Sequence, residues 1–117
     1  MVVKIKTMGK FIITKRRDGE YQFNLKAGNG EIILTSEGYT AKAGCKNGIE
    51  SVKINSQTDS RFDRRIAVND KHYFVLKAGN GEIIGKSQLY LNKQGMENGI
   101  QSVKEHAPNA EIIDETI

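Results

Sequence analysis

Residues 23–53 read FNLKAGNGEIILTSEGYTAKAGCKNGIESVK, and residues 74–104 read FVLKAGNGEIIGKSQLYLNKQGMENGIQSVK. The two stretches align without a gap at an offset of 51 residues, and 20 of their 31 positions are identical. This repetition indicates two copies of one structural unit. A unit of about 50 residues is close to the lower size limit for independent folding, so we expect both copies to share one hydrophobic core.

The first part of each copy has the pattern of a β-meander. Residues 20–27 alternate apolar and polar side chains, which is the period of a half-buried strand. Asp-Gly at 18–19 precedes this segment and Gly-Asn-Gly at 28–30 follows it, and both are turn signals. Apolar runs outside the turns predict two further strands, over residues 10–16 and 31–36.

The second part of each copy has the pattern of a helix. Apolar residues at helical spacing predict a helix over residues 41–54, with Thr40 as its N-cap, and a matching helix over residues 92–106. Gly44 and Gly48 lie inside the first helix, where each costs about 1 kcal/mol relative to alanine. Their spacing places them on one side, so we expect them to let the helix approach the sheet or the other helix closely.

The copies are joined without a long linker. A last short strand is predicted over residues 111–116, and residues 61–68 are predicted both to close the first copy and to open the second. The predicted organisation is one domain over residues 1–117, with an extension at 1–8, a first repeat at 9–58 and a second repeat at 59–117. Residues 1–7 are expected to be poorly ordered.

Charge, cysteine content and the length of apolar runs exclude some classes of protein. The chain of 117 residues carries a net charge of +4, and the basic excess lies in residues 1–58, which include Lys15-Arg16-Arg17. A single cysteine, Cys45, excludes an internal disulfide and fits a reducing cytoplasm. Apolar runs are too short to span a bilayer, so no membrane association is expected.

Two motifs, each present twice, carry a family resemblance. Residues 25–31, LKAGNGE, and residues 47–53, NGIESVK, together make the chain similar to the YegP-like family of small bacterial proteins, whose function is not established. The resemblance covers nearly the whole chain from Met8 onward. It implies a β3-α-β unit, present in tandem or as two subunits, whose copies join into one sheet and exchange C-terminal strands. It implies no catalytic residues.

The side chains that could take part in catalysis or metal binding do not form a recognisable motif in the sequence. Cys45 lies on the predicted inward face of a helix, and the two histidines, His72 and His106, occupy unrelated positions in the two copies. No catalytic, cofactor-binding or metal-binding residues are therefore predicted. Glu31 and Glu82 are equivalent carboxylates beside the glycine turns, and an acid–base role would require them to meet in one pocket.

The best candidate interaction surface is the sheet face opposite the helices. Strand alternation places six residues on that face: Gln22, Asn24, Lys26, Tyr73, Val75 and Lys77. A solvated face, a face for a protein partner and a face for single-stranded nucleic acid are the three interpretations that this composition leaves open.

The sequence thus predicts an α+β protein, with tandem β3-α-β repeats forming a single antiparallel sheet, two helices on one face and exchanged C-terminal strands. We expect a cytoplasmic monomer with internal pseudo-twofold symmetry, no cofactor and an unknown partner. The favoured function is a non-enzymatic binding or structural module. A weak nucleic-acid binder is the alternative, and an enzyme is the least favoured hypothesis.

Overall fold

A computed structural model describes residues 9–117 of the chain, and the extension predicted at residues 1–8 lies outside the described residues. The described chain forms seven strands and two helices, in the order β1 (Lys10–Lys15), β2 (Tyr21–Lys26), β3 (Ile32–Thr35), α1 (Lys42–Asn55), β4 (Phe62–Ile66), β5 (His72–Lys77), β6 (Ile83–Lys86), α2 (Lys93–His106) and β7 (Glu111–Asp114). Short 3-10 turns precede β4 and β7. The predicted order of strands and helices is confirmed.

All seven strands belong to one sheet, in the order β4-β5-β6-β3-β2-β1-β7. Each repeat contributes a meander, and the two meanders meet where β3 pairs with β6 at Thr35 and Lys86. The prediction of an antiparallel sheet needs one correction, because β7 runs parallel to β1 and the sheet is therefore mixed. A helix separates β7 from the strands before it and lets the chain return in the same direction as β1.

One hydrophobic core serves both halves. It contains Phe11, Phe23 and Leu25 from the first repeat and Phe74 and Leu76 from the second, all fully buried. Helix α1 packs on β2 of its own repeat and also on β5 and β6 of the other, and α2 packs on β5 and β3. The expectation that neither copy covers its apolar face alone is confirmed.

The helical glycines make room for tyrosine rings. A Cβ at Gly48 would overlap the hydroxyl of Tyr39 and lie 2.8 Å from its Cζ, and a Cβ at Gly99 would meet Tyr90 in the same way, 2.7 Å from Cζ. The predicted close approach is therefore to a side chain from the segment before each helix. The predicted cap was wrong: α1 begins after Ala41 with no side-chain cap, because the segment that holds Tyr39 places Thr40 outside the helix.

The two halves are not identical at their junction. Leu34 in β3 and Gly85 in β6 occupy equivalent positions beside the Thr35–Lys86 pair. A Cβ at Gly85 would lie 2.6 Å from both Cγ and Cδ2 of Leu34, which is fully buried. One leucine therefore fills a space near the pseudo-twofold axis that two leucines would have to share.

The exchange of C-terminal strands runs in one direction. β7 of the second repeat pairs with β1 of the first, and Asp114 at its end makes an ion pair of 2.8 Å with Lys42 of α1. The segment that follows α1 leads through a short 3-10 turn into β4, and among residues 9–117 β4 pairs with β5 alone. Within the described part of the chain, the position beside β4 that corresponds to that of β7 beside β1 is thus an open sheet edge.

The Asp114–Lys42 ion pair gives a testable pH dependence. The ammonium of Lys42, together with the hydroxyl and N–H of Thr116, holds the pKa of Asp114 well below its usual range. A depressed carboxylate pKa stabilises the fold fully above the unfolded value of about 3.9 and less as the pH falls. We expect Asp114→Asn to lower the free energy of unfolding at pH 7, with a difference that shrinks below about pH 4.

Urea unfolding followed by circular dichroism at pH 7 and pH 3 measures this effect. Glu115→Gln is the control, because it removes a carboxylate one residue away that makes no ion pair in the described part of the chain. An Asp114→Asn penalty of equal size at both pH values would contradict the assignment of the effect to this ion pair.

Candidate functional site

The six residues predicted for the open face do lie on the side of the sheet away from the helices. Phe23 and Leu25 of β2 point into the core, so their neighbours along the strand point outward, and β5 alternates in the same way. Val75 is only 2% exposed, however, because Asp63 and Lys86 flank it on the neighbouring strands. Val75 is therefore not available as a contact, and this part of the predicted surface is corrected.

Two basic residues outside the predicted set of six complete a charged cluster on this face. Arg65 of β4 pairs in register with Tyr73 of β5, and the ammonium of Lys86 lies 5.2 Å from the centroid of the Tyr73 ring. The carboxylate of Asp63 makes ion pairs with Arg65 at 2.9 Å and with Lys77 at 3.4 Å. We call Asp63, Arg65, Tyr73, Lys77 and Lys86 the outer-face cluster.

The electrostatics of the outer-face cluster favour an anion. Arg65, followed by Lys77, lowers the pKa of Asp63, which stays ionised at neutral pH and offsets one of three positive charges. Two positive charges remain in excess on an open surface, where they attract polyanions at low ionic strength. Lys86 already covers the Tyr73 ring, so base stacking would first require the lysine to move.

The corresponding surface of the first repeat is less basic, because it keeps one cation, Lys26 at the position of Lys77, with Ile12 at the position of Asp63. The positions equivalent to Arg65, Tyr73 and Lys86 hold Thr14, Gln22 and Thr35. The basic excess of the first repeat lies partly in the β1–β2 hairpin, where Arg16 pairs with carboxylates of the same hairpin. The more strongly cationic face therefore belongs to the second repeat, although the net charge of the sequence pointed to the first.

The serines that are equivalent in both repeats have structural roles. The hydroxyl of Ser36 accepts the N–H of Phe23 at 2.9 Å and donates to the carbonyl of Glu37 at 2.8 Å. Ser87 makes the same two hydrogen bonds in the second repeat, with Phe74 and Gln88. Both serines are buried. Each hydroxyl accepts a strand N–H, that of Phe23 or Phe74, in the place of a backbone carbonyl.

The two equivalent glutamates do not meet. Thr35 and Lys86 mark the centre of an antiparallel pair, and Glu31 and Glu82 each precede that centre by four residues on opposite strands. They consequently lie at opposite ends of the β3–β6 pair. A shallow cleft of about 570 Å³ includes Glu31 but not Glu82 in its lining. The geometry that a carboxylate pair would need is absent at these two residues.

Cys45 and His106 also have structural environments: the thiol of Cys45 is buried in the core, and the imidazole of His106 is held by hydrogen bonds. Cys45 is fully buried, and burial followed by the nearby charge of Asp114 raises the pKa of its thiol, which disfavours the nucleophilic thiolate. Nδ1 of His106 lies 2.8 Å from the carbonyl of Ser102, and Nε2 accepts the N–H of Gly28 at 3.3 Å. His106 thereby ties α2 to the β2–β3 turn of the other repeat.

Within residues 9–117, no three His, Cys, Asp or Glu side chains come together as metal ligands. Neither helix of that region has the length and apolar character that crossing a membrane requires.

The fold and the outer face define a tandem β3-α-β protein with one open, partly basic sheet surface. The model of the family described as a domain of unknown function (DUF1508) matches the chain twice, over residues 17–63 and 67–114. The chain belongs to this family, for which no function is established.

Relatives of nearly the same length match this chain over most of its sequence. A UPF0339 protein of Acinetobacter baylyi is 53% identical over 108 residues, which span 92% of this chain and 97% of that protein. The UPF0339 protein YegP of Escherichia coli K12 is 47% identical over 108 residues, which span 92% and 98% of the two chains.

Two solution NMR structures share the fold. That of the YegP protein of unknown function from E. coli has a TM-score of 0.89 at 45% identity and covers 96% of this chain and 97% of its own. That of a UPF0339 protein from Shewanella oneidensis has a TM-score of 0.86 at 49% identity, with coverage of 91% and 90%. The predicted family resemblance is confirmed.

Proposed function

We propose that this protein is a non-enzymatic binding module of the cytoplasm that engages an anionic partner through the outer-face cluster. The observation that carries the proposal is the net positive charge of Arg65, Lys77 and Lys86 around Tyr73 on an uncovered sheet face. The structural roles of Ser36 and Ser87 support a non-enzymatic function. The same holds for the buried thiol of Cys45 and the separation of Glu31 from Glu82.

A monomer fits the tandem arrangement. The second repeat supplies the strands and helix contacts that a partner subunit would otherwise provide, and the core is shared within one chain. We therefore propose that the binding surface is presented by a single chain and does not depend on assembly of several copies.

Single-stranded nucleic acid is the second candidate ligand, and the three cations of the outer-face cluster favour it. Such a contact would involve about three phosphates, which gives a slope of log affinity against log salt of about −2. We expect weak binding of a fluorescently labelled 20-nucleotide DNA at low salt, falling about 16-fold between 50 and 200 mM salt.

Fluorescence anisotropy with charge-reversal variants tests both the proposal and this ligand. Lys77→Glu combined with Lys86→Glu is expected to abolish binding of the oligonucleotide and of the protein-like polyanion poly-glutamate. The matched control, Lys46→Glu with Lys71→Glu, makes the same change in net charge outside the cluster and is expected to retain most of the affinity. Equal losses in both variants would show that net charge, and not the cluster, attracts the ligand.

Binding of poly-glutamate without binding of DNA would support an acidic protein partner and reject the nucleic-acid alternative. Failure of the folded protein to bind either polyanion at low salt would overturn the proposed role of the outer face.

A further inference from the structure

The first repeat contains a filled strand slot, and no strand of residues 9–117 fills the equivalent slot of the second repeat. In the first repeat, β7 lies against β1, and the N–H groups of Glu111 and Glu115 donate to the carbonyls of Gly9 and Ile13. The side chain of Asp114 then reaches Lys42 at the start of α1. β7 thus binds by backbone hydrogen bonds along one strand and by a single ion pair to a helix.

The equivalent slot beside β4 has the same components. Arg64 is the counterpart of Ile13, and the registers Ile13–Phe23 and Arg64–Phe74 correspond, so the carbonyl of Arg64 faces the open edge. Lys93 is the counterpart of Lys42 and has no carboxylate within ion-pair distance in the described part of the chain. A cleft of about 260 Å³ lies there, and it is lined by Arg64, Arg65, Ile66, His72, Lys93 and Met96.

The charges of the slot indicate the chemistry of its occupant. Lys93 and Arg65 line the cleft, and the nearby carboxylate of Glu97 is engaged by Arg64 at 2.6 Å. Ile66 is 65% exposed at the end of β4, so an apolar side chain of a docked strand would find an apolar neighbour. The composition that fits is therefore that of β7 itself, with apolar residues followed by an acidic residue.

Arg64 limits access to the slot. Its guanidinium contacts Glu97 and Asp59, and it lies 3.5 Å from the carbonyl of Phe62 on the same edge. A charged side chain held over an edge strand reduces indiscriminate pairing with other strands. The first repeat has isoleucine at this position, Ile13, which is fully buried in the hydrophobic core.

We propose that the open edge of β4 is a docking slot for an extended acidic segment of a partner protein, which adds a parallel strand and pairs its carboxylate with Lys93. This site is distinct from the outer-face cluster, with Arg65 as the one residue that lines both. We take the sequence and the pairing of β7 in the first repeat as the guide to the segment that would bind there.

The probe is a synthetic peptide with the sequence of residues 110–117, AEIIDETI, titrated into the whole 15N-labelled protein. We expect amide chemical shifts to change at Arg64, Ile66 and Lys93, with a dissociation constant in the high micromolar range or weaker because the added strand is short. Lys93→Glu is expected to weaken binding about tenfold, since an ion pair is replaced by a repulsion. Lys46→Glu, with the same charge change elsewhere, is expected to leave it unchanged.

Two further variants test the strand geometry. Arg64→Ile, which copies the residue of the filled slot, is expected to strengthen binding several-fold by clearing the edge. A peptide with proline in place of the residue corresponding to Ile113 lacks an N–H that faces the strand and is expected not to bind.

The proposal would be overturned by any of four outcomes. The first is that no amide shifts change at millimolar peptide even with Arg64→Ile, and the second is that binding is insensitive to Lys93→Glu. The third is that shift changes are confined to β1, and the fourth is that the protein self-associates through β4 without peptide. The third outcome would mean that the probe displaces the protein's own β7, and the fourth that a second copy is the occupant. None of these outcomes bears on binding of polyanions by Lys77 and Lys86.

Discussion

Replacing Gly85 with leucine is expected to destabilise the protein by about 3 kcal/mol, since overpacking of a filled core costs this order of free energy. A Cβ at this position already lies 2.6 Å from two carbon atoms of the Leu34 side chain, which is fully buried beside the junction of the two meanders. Leu34→Gly is expected to cost about 4 kcal/mol for the opposite reason, because it leaves a cavity and a more flexible backbone.

Exchanging the two residues provides the decisive comparison. Leu34→Gly combined with Gly85→Leu keeps the total side-chain volume near the pseudo-twofold axis, so the double variant is expected to lie within about 1.5 kcal/mol of the wild type. The coupling between the two sites then amounts to several kcal/mol, measurable by urea unfolding followed by far-ultraviolet circular dichroism. Additive losses would show that the two side chains do not share one space.

Gly48→Ala is expected to destabilise the protein by about 2 kcal/mol, even though alanine favours a helix over glycine by about 1 kcal/mol. The new methyl group would overlap the Tyr39 hydroxyl and lie 3.1 Å from a ring carbon of Phe23. The Tyr39 ring cannot turn aside cheaply, since it stacks on Phe23 with centroids 6.3 Å apart.

Gly44→Ala is the matched control, because it lies one turn earlier in the same helix and its Cβ would approach Tyr39 no closer than 3.4 Å. We expect this substitution to stabilise the protein by up to about 1 kcal/mol. In a Tyr39→Leu background the ring is gone, so Gly48→Ala is expected to become neutral or stabilising. A destabilisation that persists in that background would assign the role of Gly48 to another contact.

The repeat and the periodicities of the sequence were sufficient to predict the order of strands and helices and the shared core. Local patterns report which face of an element is apolar, and Phe23, Leu25, Phe74 and Leu76 all lie where alternation placed them. The direction of β7 was not predictable in this way. Strand periodicity is the same for parallel and antiparallel pairing. The direction of β7 depends instead on the course of the chain through α2 and the short 3-10 turn that follows it.

The candidate site was predicted less completely than the fold. Tyr73 and Lys77 were found because β5 alternates clearly, whereas Arg65 and Lys86 were missed. The alternation of β4 from the inward Phe62 would have placed Asp63 and Arg65 outward. Val75 was misjudged for a different reason, since burial by side chains of neighbouring strands depends on the register between strands, which the sequence does not contain.

The different side chains at Leu34 and Gly85 bear on whether each repeat could pair with a second copy of itself. Two excised first copies, associating as the tandem halves do, would bring two leucines into a volume that holds one. Two excised second copies would leave that volume empty. Covalent linkage therefore keeps together two halves of different shape, and we expect neither half to rebuild this junction by pairing with a second copy of itself.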